Sequence, residues 1–505
     1  MNKLFFLTSL WSAKLTSFII SALHLGQASN VPGRIALFLK RDLFKNFKTK
    51  NNCKIILITG TNGKSTTCGL LANILKSTDK RVIYNKSGAN LLSGIANTFC
   101  HYSNFFGGLN YDYIILEVDE ATLHLITKEI HPDAIAVTNL FRDQLDRFGE
   151  LDATAKLIEK GIVETRRWHV SNPKDTTIFL NADDVRVAFL KPDNEKVYFG
   201  IMANDERQTT NDPSWLSDPE EITTCPECKS DLLFSYKSIA HLGSYSCTKC
   251  NLKRPEIDFS VTGFKTDNLT INFDLVHNML NDKSFEFTGD RIYPVHPVNP
   301  SQRNKSTEGS SSLSGAIKNN FFLPMIGTFN LYNALCAIAI AKTISNVTQV
   351  QIQKAFDSYS TIFGRGEKLV INKKNAWIYL IKNPTGTTEV LKTLCKIPNA
   401  RFLIAINDGY ADGRDISWLW DARFDFLQNH QKSIFVSGRR AYDMALRLKY
   451  ANINQGQIRV NENIISAINK SLKSLDTNET LYILPTYTVL LEMQRKGICK
   501  SVDKH

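Results

Sequence analysis

Short apolar runs recur along this chain, separated by stretches whose apolar residues return every three or four positions. Residues 55–58 read Ile-Ile-Leu-Ile, residues 113–118 Tyr-Ile-Ile-Leu-Glu-Val, and residues 134–137 Ala-Ile-Ala-Val. Runs this short and this apolar predict strands buried on both faces, and residues 82–84 predict another. Between them, residues 67–76 place Leu70, Leu71 and Ile74 on one side of a helix. Strands alternating with helices predict an α/β fold on a parallel, doubly wound sheet. In such sheets ligands gather beyond the carboxyl ends of the strands, where Glu117, Asp119, Thr138 and Asn139 fall.

The pattern then changes. Residues 204–221 are polar and broken by Pro213 and Pro219. Alternation over 269–273 predicts antiparallel strands. Residues 295–320, rich in Pro, Ser, Asn and Lys, predict a long mobile loop. A strongly apolar helix is expected over 330–343. From residue 363 a second α/β unit is expected, with strands at 402–406, 433–436 and 481–484. The organisation read from the chain is an N-terminal segment (1–52), a central domain (53–362) and a C-terminal α/β domain (363–505). A cysteine module (222–255) and the loop 295–320 interrupt the central domain. A length of 505 residues fits two to four domains.

Residues 1–26 open with Lys3 and the run Leu4, Phe5, Phe6, Leu7, a start that a secretory signal would share. Thr8, Ser9, Ser12, Lys14, Thr16 and Ser17 interrupt the run, so an amphipathic helix is the expectation. No other stretch approaches the ~20 uninterrupted apolar residues of a spanning helix. Composition is that of an ordinary globular protein. The net charge of +12 suits a polyanionic partner: nucleic acid, an anionic membrane surface or a phosphorylated substrate. Spread along the chain, most of the basic residues read as solvated surface. Of ten cysteines, four form two tight pairs and six are scattered, several in apolar runs, which points to a reducing compartment.

The strand at 55–58 continues through Thr59 into Gly60, Thr61, Asn62, Gly63, Lys64, Ser65 and Thr66. Glycines let backbone N–H groups approach phosphate oxygens, and the start of a helix adds positive potential. Lys64 supplies a charge for the outer phosphates of ATP, and the Ser65 hydroxyl can ligate Mg²⁺. Ile58 stands where the longer phosphate-loop pattern has its first glycine. Glu117 is the expected Mg²⁺ carboxylate; a plain acid near a helix start is the alternative. Cys225 and Cys228 enclose two residues, Cys247 and Cys250 do the same, and 18 residues separate the pairs. Four thiolates at this spacing predict a closed, structural Zn²⁺ ribbon rather than a redox or disulfide pair.

The short form of the loop, Gly60 to Thr66, resembles the signature of the Mur ligases and their folylpolyglutamate synthase relatives. Thr138, Asn139, Asp143, Leu145 and Asp146 resemble a further Mur segment, with Gln144 where those ligases have a metal-binding histidine. Gly327 to Asn333 resembles the helix start that contacts adenine, through Asn330 here. The run from Gly364 to Glu367 resembles the motif whose arginine, Arg365, reaches the terminal phosphate. Lys382, Asn383 and Pro384 replace the segment that holds the ribose-binding aspartate. Asn407 to Asp421, Leu484 to Thr488 and the inserted ribbon are similar to the MurT-type subunits of lipid II isoglutaminyl synthase.

That resemblance implies a Mur-ligase-like central parallel-sheet ATPase domain with an inserted zinc ribbon, plus a C-terminal α/β domain. It implies an ATP-dependent carbon–nitrogen ligase active as a heterodimer with a GatD-type glutaminase. The substrate implied is lipid II, at the inner face of the cell membrane, and the cofactors are ATP, Mg²⁺ and structural Zn²⁺. Such subunits lend an aspartate to the partner's triad, expected here at Asp412, with Asp408, Asp415 and Asp421 as alternatives. Two rival readings remain: an amino-acid-adding ligase of the same fold, and a nucleic-acid-binding ATPase using the ribbon. The order of motifs favours the lipid ligase without nucleic acid.

Overall fold

Ile56 and Ile58 face one side of their strand and Leu57 the other, and all three are fully buried. Neighbouring strands repeat this division, with Ile115, Ala134 and Ala136 on the first side and Ile114, Leu116, Ile135 and Val137 on the second. A sheet apolar on both faces needs two helical layers to cover it. The computed structural model describes residues 2–23, 30–85, 89–141, 151–168, 176–202, 224–267, 270–278, 285–288, 291–294, 316–359 and 364–499.

In chain order the strands are β1 (Lys54–Thr59), β2 (Val82–Tyr84), β3 (Tyr113–Glu117), β4 (Ala134–Val137), β5 (Thr177–Asn181) and β6 (Lys196–Ile201). A separate hairpin follows, β7 (Leu232–Ile239) and β8 (Leu242–Cys247), then β9 (Phe259–Asp267), β10 (Thr270–Asn278) and β11 (Ala316–Leu323). Nine of these form one sheet in the order β11-β10-β9-β6-β5-β4-β1-β3-β2. From β9 to β2 every pairing is parallel, as with Ile56 opposite both Ile115 and Ala134; β10 and β11 extend the sheet antiparallel. Residues 316–320, expected within a loop, open the edge strand β11, where Asn320 and Lys318 bond Asp274 of β10. The rest of that loop, the polar stretch 204–221 and Gln144 lie outside the described residues.

One face of the sheet carries α3 (Lys64–Lys76) and α5 (Thr328–Ile344). The other is covered by α1 (Asn2–Ala22), α2 (Val31–Leu39) and α4 (Leu92–Tyr102), through Phe6, Leu10, Ala36, Ile95 and Phe99. Helix α3 starts three residues before the periodicity indicated, because Gly63 at φ +88° lets the chain turn directly into it.

The C-terminal unit is a six-stranded sheet. Its strands are β12 (Arg365–Ile371), β13 (Lys374–Tyr379), β14 (Ala400–Ala405), β15 (Ile434–Ser437), β16 (Ile458–Val460) and β17 (Thr480–Pro485). They lie in the order β12-β13-β17-β14-β15-β16, parallel except for the first pair. The carboxyl ends of β13, β14 and β17 and those of β1, β3 and β4 lead into one shared cleft.

The cysteine hairpin is fastened to the central sheet by a buried polar cluster. Arg254 Nη1 lies 2.8 Å from Asp183 Oδ1, and the Tyr332 hydroxyl donates to Asp183 Oδ2 at 2.6 Å. Ser238, near the hairpin tip, pairs with the same hydroxyl at 2.6 Å. Burial pushes the Asp183 carboxyl above its usual range, and Arg254 opposes that push. Arg254→Ala would leave a buried acid without its counter-charge and should cost about 3–5 kcal/mol near neutral pH. A folded-state pKa raised further by the substitution takes stability away as pH rises through it. The deficit should therefore shrink toward acid, below the unfolded carboxylate range; urea titrations showing a pH-independent deficit would contradict this.

Candidate active site

The turn from β1 into α3 leaves no room for side chains at its glycines. A Cβ on Gly60, at φ +117°, would lie 2.4 Å from Thr138 Oγ1, and one on Gly63 would lie 2.0 Å from Asn333 Oδ1. The loop between them is held by its neighbours. Thr61 and Asn62 donate backbone N–H groups to Asn139 O and Asn139 Oδ1, both at 2.9 Å, and Thr138 Oγ1 donates to Asn62 O at 2.8 Å. Thr61 Oγ1 bonds the Phe141 backbone in both directions. The result is a fixed, amide-lined hollow at a helix N-terminus, a shape that suits phosphate.

Charge is arranged around that hollow. Lys64 Nζ donates to Gly60 O at 2.5 Å and pairs with Glu120 Oε1 at 2.9 Å. Burial works against its ammonium, yet the carboxylates of Glu120 and Glu117 outweigh it and hold the pKa up at about 12. Ser65 Oγ donates to Glu117 Oε2, and Asn90 Nδ2 lies 3.4 Å from Glu117 Oε1. Asn85 clamps the Glu117 backbone from both sides, through its Oδ1 at 2.6 Å and its Nδ2 at 2.8 Å. A hydroxyl and a carboxylate in contact are hard oxygen donors, which fit Mg²⁺ completed by phosphate and water.

The cleft encloses about 280 Å³ and is lined by both units. Residues Thr61 to Thr66 and Glu117 meet Asn330, Arg365, Lys382, Asn383 and Asp412 there. The C-terminal unit touches the loop directly: Lys382 Nζ donates to Thr61 O at 3.3 Å, and Asn383 Nδ2 to Asn62 Oδ1 at 3.0 Å. Asn330 is buried at the start of α5, donates to Ile326 O at 2.7 Å and accepts from Asn333. Burial raises the Tyr487 phenol above its usual range; Arg365 opposes this, while Glu117 and Asp412 add to it, so one ring senses all three charges.

Asp412 is nearly buried. It accepts from Thr488 N at 2.7 Å, from Thr488 Oγ1 and from Gly409 N at 3.0 Å. Burial raises its carboxyl above the usual range against those hydrogen bonds, and Asp408 adds to the rise. The alternatives are held elsewhere: Asp408 pairs with Arg440 at 2.7 Å, Asp415 accepts from Ser417, and Asp421 is exposed.

Cys225, Cys228, Cys247 and Cys250 bring their sulfurs within 4.8 Å of one another. The pairs Cys225–Cys250 and Cys228–Cys247 are 3.7 and 3.4 Å apart. Four thiolates at about 2.3 Å from a tetrahedral Zn²⁺ require edges of roughly 3.8 Å, so the set fits that ion and is far too open for disulfides. At the other end of the same hairpin, Ile239 and Leu242 line the cleft beside Phe329 and Tyr332.

Sequence reasoning missed Glu120 as the partner of Lys64, and it placed Asn333, Tyr487 and Thr488 inside motifs without giving them individual roles. Glu120 continues the acidic end of the strand at 113–118, so a signal was present. Lys382 and Asn383 were read only as departures from a motif, although both reach the loop.

Comparison with known proteins agrees with this geometry. Residues 58–226 match the Mur ligase middle domain, and residues 380–490 match the MurT ligase C-terminal family. The chain is 31% identical over 490 residues to the MurT subunit of lipid II isoglutaminyl synthase (glutamine-hydrolyzing) from Streptococcus pneumoniae, covering 96% of this chain and 95% of that one. It is 29% identical over 473 residues to the Staphylococcus aureus subunit of the same name, covering 92% of each. Among solved structures, a pseudomurein peptide ligase type C from Methanothermus fervidus superposes with a TM-score of 0.59 at 20% identity, over 90% of this chain and 80% of its own. Mycobacterium tuberculosis folylpolyglutamate synthase, solved with ADP and AMPPCP, gives 0.55 at 13% identity, over 98% and 96%. At these identities the two structures speak for the fold.

Because the hairpin that carries the cysteines also walls the cleft, removing a metal held by them should affect a nucleotide bound there. Cys225→Ser should purify without stoichiometric zinc by elemental analysis. It should also weaken ATP binding by about tenfold, ~1.4 kcal/mol. Unchanged metal content would remove the ribbon assignment, and unchanged affinity the wall.

Proposed function

This chain belongs to the MurT family of Mur-type ligases, and from that premise we propose that it amidates the α-carboxylate of D-glutamate in lipid II, using ATP. Ammonia would come from a GatD-type glutaminase bound as a heterodimer partner. The site of action is the cytoplasmic face of the cell membrane, where the headgroup of lipid II is displayed. The observation that carries this reading is the convergence of Lys64, the Ser65–Glu117 pair and Arg365 on one cleft that Ala411 and Asp412 of the C-terminal unit also line.

A carboxylate is a poor electrophile, so its amidation needs activation. One carboxylate oxygen attacks the γ-phosphorus of ATP, the bond to ADP breaks, and an acyl phosphate forms. Ammonia then attacks the acyl carbon, phosphate leaves with the C–O electron pair, and the nitrogen loses a proton to give D-isoglutamine. The backbone amides at the N-terminus of α3, from Gly63 onward, hold the β-phosphate, and Lys64 and the Arg365 fork take up charge on the transferring group. Ser65 and Glu117 would hold Mg²⁺, which when bound would offset phosphate charge.

Asp412 is the acid we assign to the partner's triad, where it would orient an imidazole and stabilise its charged form. Its present bonds set a condition on that role: the Gly409–Gly413 turn must release the carboxylate from Thr488.

Lys64→Ala should abolish nucleotide turnover, by about a thousandfold or more, with the melting temperature preserved within a few degrees. Retained amidation would refute the phosphate role. The decisive assay supplies the purified pair with lipid II, glutamine and ATP and follows lipid II by mass spectrometry. Each amidation lowers the mass by about one unit, the difference between hydroxyl and amino groups in acyl transfer. Asp412→Asn should leave ATP affinity intact and lower glutamine hydrolysis by the complex about a hundredfold or more. A loss confined instead to Asp408→Asn, Asp415→Asn or Asp421→Asn would move the assignment.

A further inference from the structure

Helix α1 is apolar on both sides: Phe6, Leu10 and Ala13 are buried against the core, and a second apolar set points away from it. A helix on a water-exposed surface turns its apolar stripe inward. Here the inward face includes Ser9 and Ala13, both fully buried, while Leu4, Phe5, Trp11, Leu15, Phe18 and Ile19 face outward. Leu4 is 67% and Phe18 70% exposed. The apolar surface continues onto the loop after α4, where Phe105 O accepts the Trp11 indole N–H at 2.9 Å and Phe105 and Phe106 are themselves exposed. Contiguous exposed aromatic and aliphatic surface of this kind marks a binding face.

Charge identifies what covers it. Residues 1–50 hold eight lysines and arginines against the single acid Asp42, so more than half of the net charge of +12 sits in the first tenth of the chain. Basic residues are only slightly denser here than elsewhere in the chain; most of the excess arises because acids are scarce. Lys3, Arg34, Arg41 and Lys45 are all exposed. On the face itself the Lys14 ammonium lies 5.7 Å from the centre of the Phe105 ring. An apolar helix face with an exposed tryptophan and nearby cations is the pattern of a helix lying in the plane of an anionic bilayer.

We propose that the outer face of α1, with Phe105 and Phe106, docks this protein onto anionic phospholipid membrane, the helix lying along the surface rather than crossing it. Residues Lys3–Ala22 are long and apolar enough to span. However, the Ser9 hydroxyl donates to Ala36 O at 2.7 Å, Lys14 Nζ to Ser103 O at 2.7 Å, and Phe6 and Leu10 are buried in the core with Phe44 and Phe99. A spanning orientation would surrender all of these contacts. The docking role rests on the lipid-substrate reading for its purpose: it holds the cleft beside a substrate confined to the bilayer.

The test uses the full chain without nucleotide or substrate. Protein is pelleted with phosphatidylcholine vesicles, with or without about one-third phosphatidylglycerol. Wild type should pellet with the anionic vesicles and be released as salt rises. The variant Phe5→Ser/Phe18→Ser/Ile19→Ser should bind at least about tenfold more weakly with an unchanged melt, since all three side chains are exposed. Should that variant fold poorly, quenching by brominated lipid is compared between wild type and Trp11→Phe; loss of the quenched component supports docking. Wild type that stays in solution with anionic vesicles overturns the proposal. So does light scattering that shows a lipid-free dimer split by the triple variant, which would put a second copy on this face. An active ligase that fails to pellet defeats docking alone, and an inactive one that pellets defeats only the lipid-ligase reading.

Discussion

The close approach of Asn333 to Gly63 is the constraint on which the rest of the site depends. With the amide oxygen standing 2.0 Å from where a Cβ would be, and with φ at +88°, any other residue would displace the Asn333 side chain and strain the turn. The same approach closes the loop over the N-terminus of α3 and presses it against Thr138 and Asn139 at the end of β4. Three separate stretches of chain therefore define one hollow. A large part of the central core, Leu331 through Ala341 packed against Leu70, Leu71 and Ile74, keeps them in register.

The cleft is a joint product of two sheets. Each sends the carboxyl ends of its parallel strands toward the other, an arrangement parallel sheets favour for ligands. The cysteine hairpin adds a third contributor. Its metal-ligand end lies away from the cleft, while Ile239 and Leu242 at its tip add apolar wall. Held through Ser238, Tyr332, Asp183 and Arg254, the hairpin acts as a brace for that wall.

Much of this was legible in the chain because the physics is local. Glycines before a lysine at a strand end, and paired cysteines at fixed spacing, encode their geometry within a few residues. The strands at 55–58, 113–118 and 134–137 read correctly because both faces are buried and the runs are continuous. Residues 316–320 did not, since an edge strand with Lys318, Asn319 and Asn320 has the composition of a loop; only pairing with β10 reveals it. Lys382 and Asn383 were opaque for another reason. Their partners lie 321 residues away, and a motif departure says what is missing without saying what has taken its place. Asp412 was singled out by its turn together with the family resemblance, but its bond to Thr488 could not be foreseen from spacing.

Asn62 is bonded on one side to Asn139 of its own unit and on the other to Asn383 of the C-terminal unit. Any rotation that separates the units must strip the loop of its outer partner. Affinity for a ligand seated on that loop is thereby tied to interdomain closure: what binds more tightly to the closed form must favour closing by the same free energy. A mutation that alters this closure, with no atom near the cleft, would then register as altered ligand affinity.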